Sequence, residues 1–528
     1  MRTRKYILLF ILLLPGVIAC NDSQPSNVVT NPEVEASDNY RKGNSYQRDF
    51  LLFADMLENT HPLFAETDKP HFDMDSLTRA GYRDLADCKS KTQLSLYLKA
   101  VISRLGDGHS QVFSDMSSLY RKGLYPFYLF SENDTTFYLY GIDKKYADQL
   151  GKRVTSLNGI PVPDVIESFR PLISCENDDY FKANVMERLM LWKDIWDYSP
   201  FHRTDGKLLL QFEDGNTVLL PSTKNTEDFT WYQTRMKDFA TEDNGMPFSY
   251  YILPEKQLCY LHFARCKDRN TMLSAIKMGM SVDTTGMSRM PDFGAFLKEM
   301  FGEMRRNDVK TLVIDVRDNG GGDSSLCNQL LSWLKPIDEF RWGGCKIRFS
   351  KLWEAQYPEE AKQIKAYFEG KGLAYPLGEL YDEALMESED DELEEEETID
   401  EVFVMNHNRD SLFTGEIIFL QGKGTFSSAG DLIALAVDNG IGIVIGENST
   451  YAPNSYGDNL YWELPNTHVK GSVSHKFFYR ADAAKWNETV LVPDVPLPTT
   501  WEDIRNGINP CWKWVMEHLD DPSESVLN

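Results

Sequence analysis

The stretch Gly422–Asp431 could hold a reactive serine where a glycine-rich loop enters a helix. It follows a short apolar run, Glu416–Leu420, whose β-branched residues favour a buried strand. An amphipathic run, Asp431–Val437, comes next and ends at Asp438-Asn439-Gly440, which is a helix-stop signal. A further apolar run, Ile441–Ile445, completes the order strand, loop, helix, strand, which predicts a βαβ unit with two parallel strands.

Ser427 and Ser428 lie at the junction of this loop and the helix. Free backbone N–H groups and the positive end of the helix dipole point at that position, so it can activate a serine and stabilise an oxyanion. The structural alternative is an N-cap, because a serine at a helix start often accepts a backbone hydrogen bond. The local pattern alone fits both interpretations.

The N-terminus has the pattern of an export signal. A basic start is followed by an apolar stretch, Tyr6–Ala19, that is too short to span a membrane. Small residues before Cys20 resemble a bacterial lipoprotein signal, which predicts removal of residues 1–19 and lipidation of Cys20. The alternative is an ordinary secretory signal with an incidental cysteine. Residues 20–45 are polar and predict a flexible tether, so we expect a lipid-anchored cell-envelope protein, periplasmic or surface-exposed.

Charge and motif content exclude several classes of function. The chain has 55 Lys and Arg against 81 Asp and Glu, a net charge of −26, which disfavours nucleic acid as a partner. An acidic run at about 385–400 reads as a solvated insertion, since it lacks the fixed spacing and glycine turn of a calcium loop. No zinc pattern occurs either, so we expect no metal and no cofactor.

Three further regions are predicted. Residues 46–123 read as a helical domain in which the run Lys91–Leu105 ends at Gly106-Asp107-Gly108-His109-Ser110, placing His109 on a loop. Residues 124–230 are strand-rich and resemble a PDZ-like module, which would bind peptide at a sheet edge; a generic β-rich spacer is the alternative. Residues 245–515 read as the main α/β domain.

A second glycine-rich loop lies in the α/β domain. The buried strand Lys310–Val316 leads into Gly320-Gly321-Gly322, where glycines allow close backbone approach and expose N–H groups. The spacing matches neither a dinucleotide-binding fingerprint nor a P-loop.

These motifs together resemble peptidase family S41, the tail-specific, C-terminal-processing and tricorn-like serine peptidases. The matching stretches, in chain order, are Leu105–Ser110, Val313–Gly322, Ser428–Asp431, Ile445–Glu447 and Val492–Val495. The resemblance covers residues 46 to 515 and implies an α/β fold with a crotonase/ClpP-like core, an N-terminal helical segment and a PDZ-like β-rich module.

The resemblance also implies roles for single residues. Ser428 would be the nucleophile, with Ser427 as the less favoured neighbour. Ala429 would supply one oxyanion N–H group, and Gly321 or Gly322 would supply another.

The residue available as general base differs from the one used by one branch of the family. The processing branch uses a lysine, but the stretch Gly446–Gly457 that should contain it has none. Lys423 is near Ser428 in sequence, but its glycine-flanked position favours a solvated side chain.

The tricorn-like branch uses a histidine instead, and His109 fits that role, since imidazole can accept the serine proton and return it to the leaving group. Asp431, Glu447 and Asp107 are the candidates for the carboxylate that orients His109.

The sequence therefore predicts an exported, lipid-anchored serine endopeptidase that hydrolyses polypeptides of the cell envelope through a Ser428 acyl-enzyme. The alternative is a non-catalytic lipoprotein that uses the same fold to bind peptides or small ligands, and self-processing alone is a third possibility.

Overall fold

The computed structural model describes residues 26–66, 72–113, 122–185, 191–224, 228–232, 246–277, 284, 287–387 and 405–520. The predicted signal segment, Cys20 and the core of the acidic run lie outside these ranges. Within them, no helix is both long enough and apolar enough to cross a membrane.

The α-helices are distributed along the whole of the described chain. They are Pro32–Ala36, Asp38–Lys42, Ser45–Thr60, Met74–Asp84, Lys91–Ile102, Val162–Ser168, Asp178–Asn184, Lys193–Tyr198, Arg269–Lys277, Phe293–Arg306, Ser324–Leu331, Lys351–Gln356, Pro358–Gly370, Ala384–Glu387, Ser428–Asp438, Trp501–Asn506 and Pro510–Asp520.

A six-stranded core sheet carries the two glycine-rich loops. Its strands, in spatial order, are Phe248–Leu253, Leu258–Phe263, Thr311–Asp315, Glu416–Gln421, Ile443–Gly446 and Val495–Pro496. The first pair is antiparallel and all other pairs are parallel. The predicted βαβ unit is confirmed, with Ile418 opposite Ile443 and Leu420 opposite Ile445.

Helices cover both faces of the core sheet. Leu312 and Ile314 point to one face and pack with the helices Phe293–Arg306, Ser324–Leu331 and Ser428–Asp438. Val313 points to the other face and packs against the helix Pro510–Asp520. Burial on both sides explains why the strand Thr311–Asp315 is buried at every position instead of alternating. The carboxyl ends of these parallel strands all meet at one edge, where loops can converge.

A second sheet joins the N-terminal helices to the C-terminal half. It contains the strands Asn27–Val28, Ser455–Glu463, Lys470–Tyr479, Gly344–Arg348, Leu380–Asp382 and Gln111–Val112. Apolar residues of the helices Ser45–Thr60 and Lys91–Ile102 share one hydrophobic core with this sheet.

The prediction of a flexible tether over residues 20–45 is wrong for residues 27–42, which form a short strand and two short helices. Asn27 and Val28 pair in parallel with Trp462 and Glu463. Two short helices follow, and the side chains of Asn31 and Ser37 cap them by accepting backbone hydrogen bonds. Sheet-edge pairing and local capping can order a polar segment that lacks hydrophobic periodicity.

The middle region contains two small sheets. One has the strands Phe127–Asn133, Thr136–Asp143 and Phe229–Trp231, and the other has Val154–Leu157, Ile160–Pro161, Lys207–Phe212 and Thr217–Pro221. Asn158 and Gly159 form a tight turn, with both residues at positive φ. The strands Lys207–Phe212 and Thr217–Pro221 form an antiparallel hairpin. The PDZ-like assignment itself stays a prediction.

Candidate active site

Ser428 is the first residue of the helix Ser428–Asp438, directly after the loop that leaves the core-sheet strand Glu416–Gln421. Ser427 precedes it with φ 51° and ψ −130°, a conformation rare for a residue with a side chain. Holding a residue in such a conformation costs about 1–3 kcal/mol, so the surrounding contacts must enforce it.

Two neighbouring hydrogen bonds hold the serine loop against the glycine-rich loop. The Phe426 N–H group donates to the Asn319 carbonyl at 3.0 Å. The Thr425 hydroxyl donates to the Val316 carbonyl at 2.8 Å. These contacts tie the strained turn at Ser427 to the end of the adjacent core strand.

Neither serine acts as a conventional helix cap. The Ser427 side chain makes no capping hydrogen bond. The Ser428 hydroxyl donates to the Gly322 carbonyl at 2.6 Å and lies 2.9 Å from the Ser324 hydroxyl. The Ser428 side chain therefore faces the second glycine-rich loop, as a nucleophile beside an oxyanion site would.

Only glycines fit the second loop at its closest approach to Ser428. Gly321 has φ 97° and Gly322 has φ 149°. A Cβ atom on Gly321 would lie 2.7 Å from the Ser427 Cβ atom, and one on Gly322 would overlap the Cys266 carbonyl. The loop is fixed from that side, because the Cys266 N–H group donates to the Gly321 carbonyl at 3.1 Å.

The three predicted oxyanion donors differ in their present hydrogen bonds. The Gly321 N–H group donates to the Asn319 side chain at 2.9 Å, and the Ala429 N–H group donates to the Phe426 carbonyl at 3.2 Å. The Gly322 N–H group has no hydrogen-bond partner among the described residues. Of the three predicted donors, only the Gly322 N–H group therefore has no acceptor within the described residues, as an oxyanion donor would require.

His109 reaches this region from the N-terminal half. The helix Lys91–Ile102 and a 3₁₀ turn end at Gly106, whose φ of 64° redirects the chain as the sequence predicts. The His109 N–H group donates to Asp107 at 2.9 Å, and its carbonyl accepts from the Ser472 hydroxyl at 2.9 Å. The His109 ring stacks on Phe426 with 4.6 Å between ring centroids. Because Phe426 is two residues before the candidate nucleophile, His109 lies beside the serine loop.

No hydrogen bond joins His109 to Ser428 in the described part of the chain. The Nδ1 atom of His109 is buried and has no partner, and the ring is bonded to the Tyr456 backbone. Burial lowers the pKa of His109 below 6.5, while the nearby Asp107 carboxylate opposes that shift. The imidazole is therefore neutral at neutral pH, as a general base must be.

Only one of the three candidate orienting carboxylates lies beside His109. Asp107 is 3.9 Å from the His109 Nδ1 atom, and its other oxygen is 3.0 Å from the His61 Nε2 atom. Burial opposes ionisation of Asp107, but its hydrogen bond and charge interaction with His61 lower its pKa to about 2.

The other two carboxylates have different partners. Asp431 accepts a hydrogen bond of 2.5 Å from the Tyr451 hydroxyl, and burial raises the pKa of Asp431 to about 6. Glu447 forms an ion pair of 3.2 Å with Lys423. Lys423 is half-exposed, in agreement with its interpretation as a solvated residue.

Sequence reasoning missed Glu176, which lies against the His109 loop. The Gly108 N–H group donates to one Glu176 oxygen at 3.0 Å, while the other oxygen is buried without a partner. Burial, and then the Asp107 charge, raise the pKa of Glu176 to about 8. Glu176 belongs to no motif and follows no periodic pattern, so no local signal identifies it.

Asp107, His109 and Glu176 form the one group among the described residues whose donor atoms could hold a metal ion. One donor atom from each residue lies within 4.8 Å of the others.

The sequence of this region matches a known family. Residues 284–495 match the profile described as peptidase family S41. No curated protein matches the chain.

Solved structures share the fold at low identity. Mature CPAF complexed with lactacystin superposes with a TM-score of 0.59 at 15% identity, over 92% of this chain and 100% of that one. Mature CPAF alone gives a TM-score of 0.58 at 15% identity, over 93% and 98% of the two chains. The tricorn protease gives a TM-score of only 0.33 at 11% identity, over 90% of this chain and 37% of that one.

Proposed function

We propose, from the match of residues 284–495 to peptidase family S41, that the protein is a serine endopeptidase with Ser428 as its nucleophile. The observation that carries the proposal is the position of the Ser428 hydroxyl. It lies at a helix N-terminus, after a strained residue, and 2.6 Å from the glycine-rich loop that holds the free Gly322 N–H group.

The reaction would begin when Ser428 leaves its hydrogen bond to the Gly322 carbonyl. The Ser428 Oγ atom then attacks a substrate carbonyl carbon, and the substrate oxygen accepts from the Gly322 N–H group as charge develops. His109 accepts the Ser428 proton and later donates it to the leaving amine, giving an acyl-enzyme that water hydrolyses. Because His109 stacks on Phe426, the base stays next to the serine loop while the Ser428 side chain moves.

The same proposal includes the cell context predicted from the N-terminus. Lipidated Cys20 anchors the protein to a membrane of the cell envelope, where it would cleave exported polypeptides. The strand-rich region 124–230 would present an extended peptide to the site. A Cys20→Ala variant should move from the membrane fraction to the soluble fraction; unchanged membrane association would contradict the anchor.

Labelling of the full-length chain with a fluorophosphonate probe tests the nucleophile. We expect the label on Ser428, its loss in Ser428→Ala, its retention in Ser427→Ala and much slower labelling in His109→Ala. Label found on Ser427, or equal labelling rates in wild type and His109→Ala, would contradict the assigned roles.

The second candidate is a non-catalytic binding protein. It is favoured by the bond from Ser428 to the Gly322 carbonyl and by the lack of a hydrogen bond to His109. It predicts no labelling of wild type with or without added unfolded polypeptide, together with saturable peptide binding that Ser428→Ala leaves unchanged.

A further inference from the structure

Two buried polar atoms beside the serine loop lack hydrogen-bond partners. They are the Nδ1 atom of His109 and the Oε2 atom of Glu176. The Glu176 carboxylate and the His109 ring belong to the group whose donor atoms lie within 4.8 Å of one another. Leaving a buried polar group unpaired costs about 1–3 kcal/mol, so two such atoms within one cluster of side chains point to a shared function.

The segment 174–180 holds Glu176 firmly against the histidine loop. The Ser174 hydroxyl accepts from the Asp107 N–H group at 3.0 Å, and the Tyr180 hydroxyl donates to the Gly108 carbonyl at 2.7 Å. A Cβ atom on Gly108 would lie 2.9 Å from the Glu176 Oε2 atom. Glycine at this position therefore leaves room for that oxygen next to the His109 ring.

Asp107 is less suited than Glu176 to orient the ring. Each Asp107 oxygen already has a hydrogen-bond partner, namely the His109 N–H group and the His61 ring. Its separation of 3.9 Å from the Nδ1 atom exceeds hydrogen-bond length. Glu176 uses one oxygen on Gly108 and keeps the other for the ring.

We propose that Glu176 is the positioning residue of this site, orienting His109 through a hydrogen bond between its Oε2 atom and the Nδ1–H group of the base. This inference rests on the proposed serine peptidase function and adds the carboxylate that completes its base. With Nδ1 protonated and bonded to Glu176, Nε2 gives up its proton and its hydrogen bond to the Tyr456 backbone, and its lone pair can then accept the Ser428 proton.

The protonation states give this assignment a pH signature. The ring bond to the Tyr456 backbone leaves Nδ1 as the bare nitrogen in the present state, and a protonated Glu176 can donate to it. Burial raises the pKa of Glu176 to about 8, so the carboxylate that activates the base forms as the pH rises through that value. Because burial lowers the pKa of His109, the histidine itself stays neutral over this range.

Other charged groups face the same atoms and must be distinguished. Asp107 and Asp458 act on the His109 ring, and Asp107 and Tyr451 lie near Glu176. Asp107 and Asp458 both have a pKa of about 2, and that of Tyr451 is well above 10. None of the three titrates near pH 8, so a kinetic step there reports Glu176.

The test compares full-length wild type, Glu176→Gln, Glu176→Asp and Glu167→Gln by fluorophosphonate labelling rate from pH 6 to 9.5. Gln keeps the size and the Gly108 contact but cannot ionise. We expect a rise through about pH 8 in wild type, its absence in Glu176→Gln with a rate at pH 9 at least about 10²-fold lower, and a partial return in Glu176→Asp. Glu167 is an exposed carboxylate paired with Arg170 in the same region, so Glu167→Gln should match wild type.

A second measurement separates positioning from a structural role. In a Ser428→Ala background, the ¹⁵N shifts of His109 should report Nδ1–H above pH 8, and Glu176→Gln should remove that tautomer while the melting temperature does not fall. Equal rates and equal pH profiles in wild type and Glu176→Gln would overturn the inference while leaving the proposed function standing. Failure of wild type to label would instead remove the proposed function.

Measurements with a chelator test whether the same atoms bind a metal ion instead of forming the proposed hydrogen bond. All rates are measured with and without EDTA, because Asp107, His109 and Glu176 could hold a divalent cation. We expect no effect of EDTA. Loss of wild-type labelling in EDTA, restored by Zn²⁺, would overturn the hydrogen-bond assignment in favour of a metal site.

Discussion

Phe426 couples the candidate base to the candidate nucleophile, and its removal should weaken both stability and reactivity. Its ring centroid lies 4.6 Å from that of His109, 5.1 Å from that of Tyr180 and 5.9 Å from that of Tyr451. Each such pair contributes about 0.5–1.5 kcal/mol beyond burial, and a Phe→Leu exchange that keeps most of the volume costs less than about 1.5 kcal/mol more. Phe426→Leu should therefore lower the free energy of unfolding by about 1.5–6 kcal/mol.

The loss of reactivity depends on how much of the energy of the Phe426 ring contacts holds His109 in position. The stack on His109 is one of three contacts, so about 1–1.5 kcal/mol of positioning is lost, which corresponds to about a tenfold slower reaction. Urea unfolding gives the stability change, and the fluorophosphonate labelling rate of Ser428 gives the change in reactivity.

Phe340→Leu is the matched control, because Phe340 stacks on Trp342 at 5.0 Å and has no ring contact with a site residue in the described part of the chain. It should lower stability by about 0.5–2 kcal/mol with no change in labelling rate. A Phe426→Leu variant that labels at the wild-type rate, while losing 2 kcal/mol or more of stability, would refute the claim that this ring positions the base.

Three further changes have defined outcomes. Gly322→Ala should abolish labelling of Ser428, because its Cβ atom would overlap the Cys266 carbonyl and displace the oxyanion donor; labelling within tenfold of wild type would contradict this. Arg480→Met should cost about 1.5–3 kcal/mol in urea unfolding, since buried Asp438 at the end of the serine helix loses its guanidinium partner and keeps only Lys485 and the Asp482 N–H group; a loss below 1 kcal/mol would show that the pair is not needed. Asp431→Asn should stabilise the protein by roughly 2–3 kcal/mol at pH 8 but not at pH 4, because burial raises the pKa of Asp431 to about 6 and its ionisation opposes folding as the pH rises through that range; an equal effect at both pH values would exclude this cause.

Local patterns in the sequence were enough to predict the parallel strands and the positions of both glycine-rich loops. Ile417–Leu420 and Ile443–Ile445 are apolar at every position, as expected of strands covered on both faces. The turn at Gly106 likewise places His109 on a loop, because a helix that ends at a left-handed glycine cannot continue. In each case, the information lies within about ten residues of chain.

The same patterns did not predict the order in residues 27–42 or the long hairpin formed by Ser455–Glu463 and Lys470–Tyr479. The order in residues 27–42 depends on pairing of Asn27 with Trp462, more than 400 residues away. The hairpin mixes polar and apolar residues, and some of its buried polar groups bond to distant segments, as the Ser472 hydroxyl does to the His109 carbonyl.

The sequence by itself determined which residues could be the nucleophile, the base and the oxyanion donors, since each lies in a local motif whose backbone shape is set by neighbouring residues. Only the tertiary structure decided which acidic side chain lies beside the base. It separated Asp431 and Glu447 from His109 by giving them Tyr451 and Lys423 as partners. It also brought Glu176 to Gly108 across 68 residues of chain. A contact of that kind depends on how whole elements pack, and no periodicity along the chain encodes it.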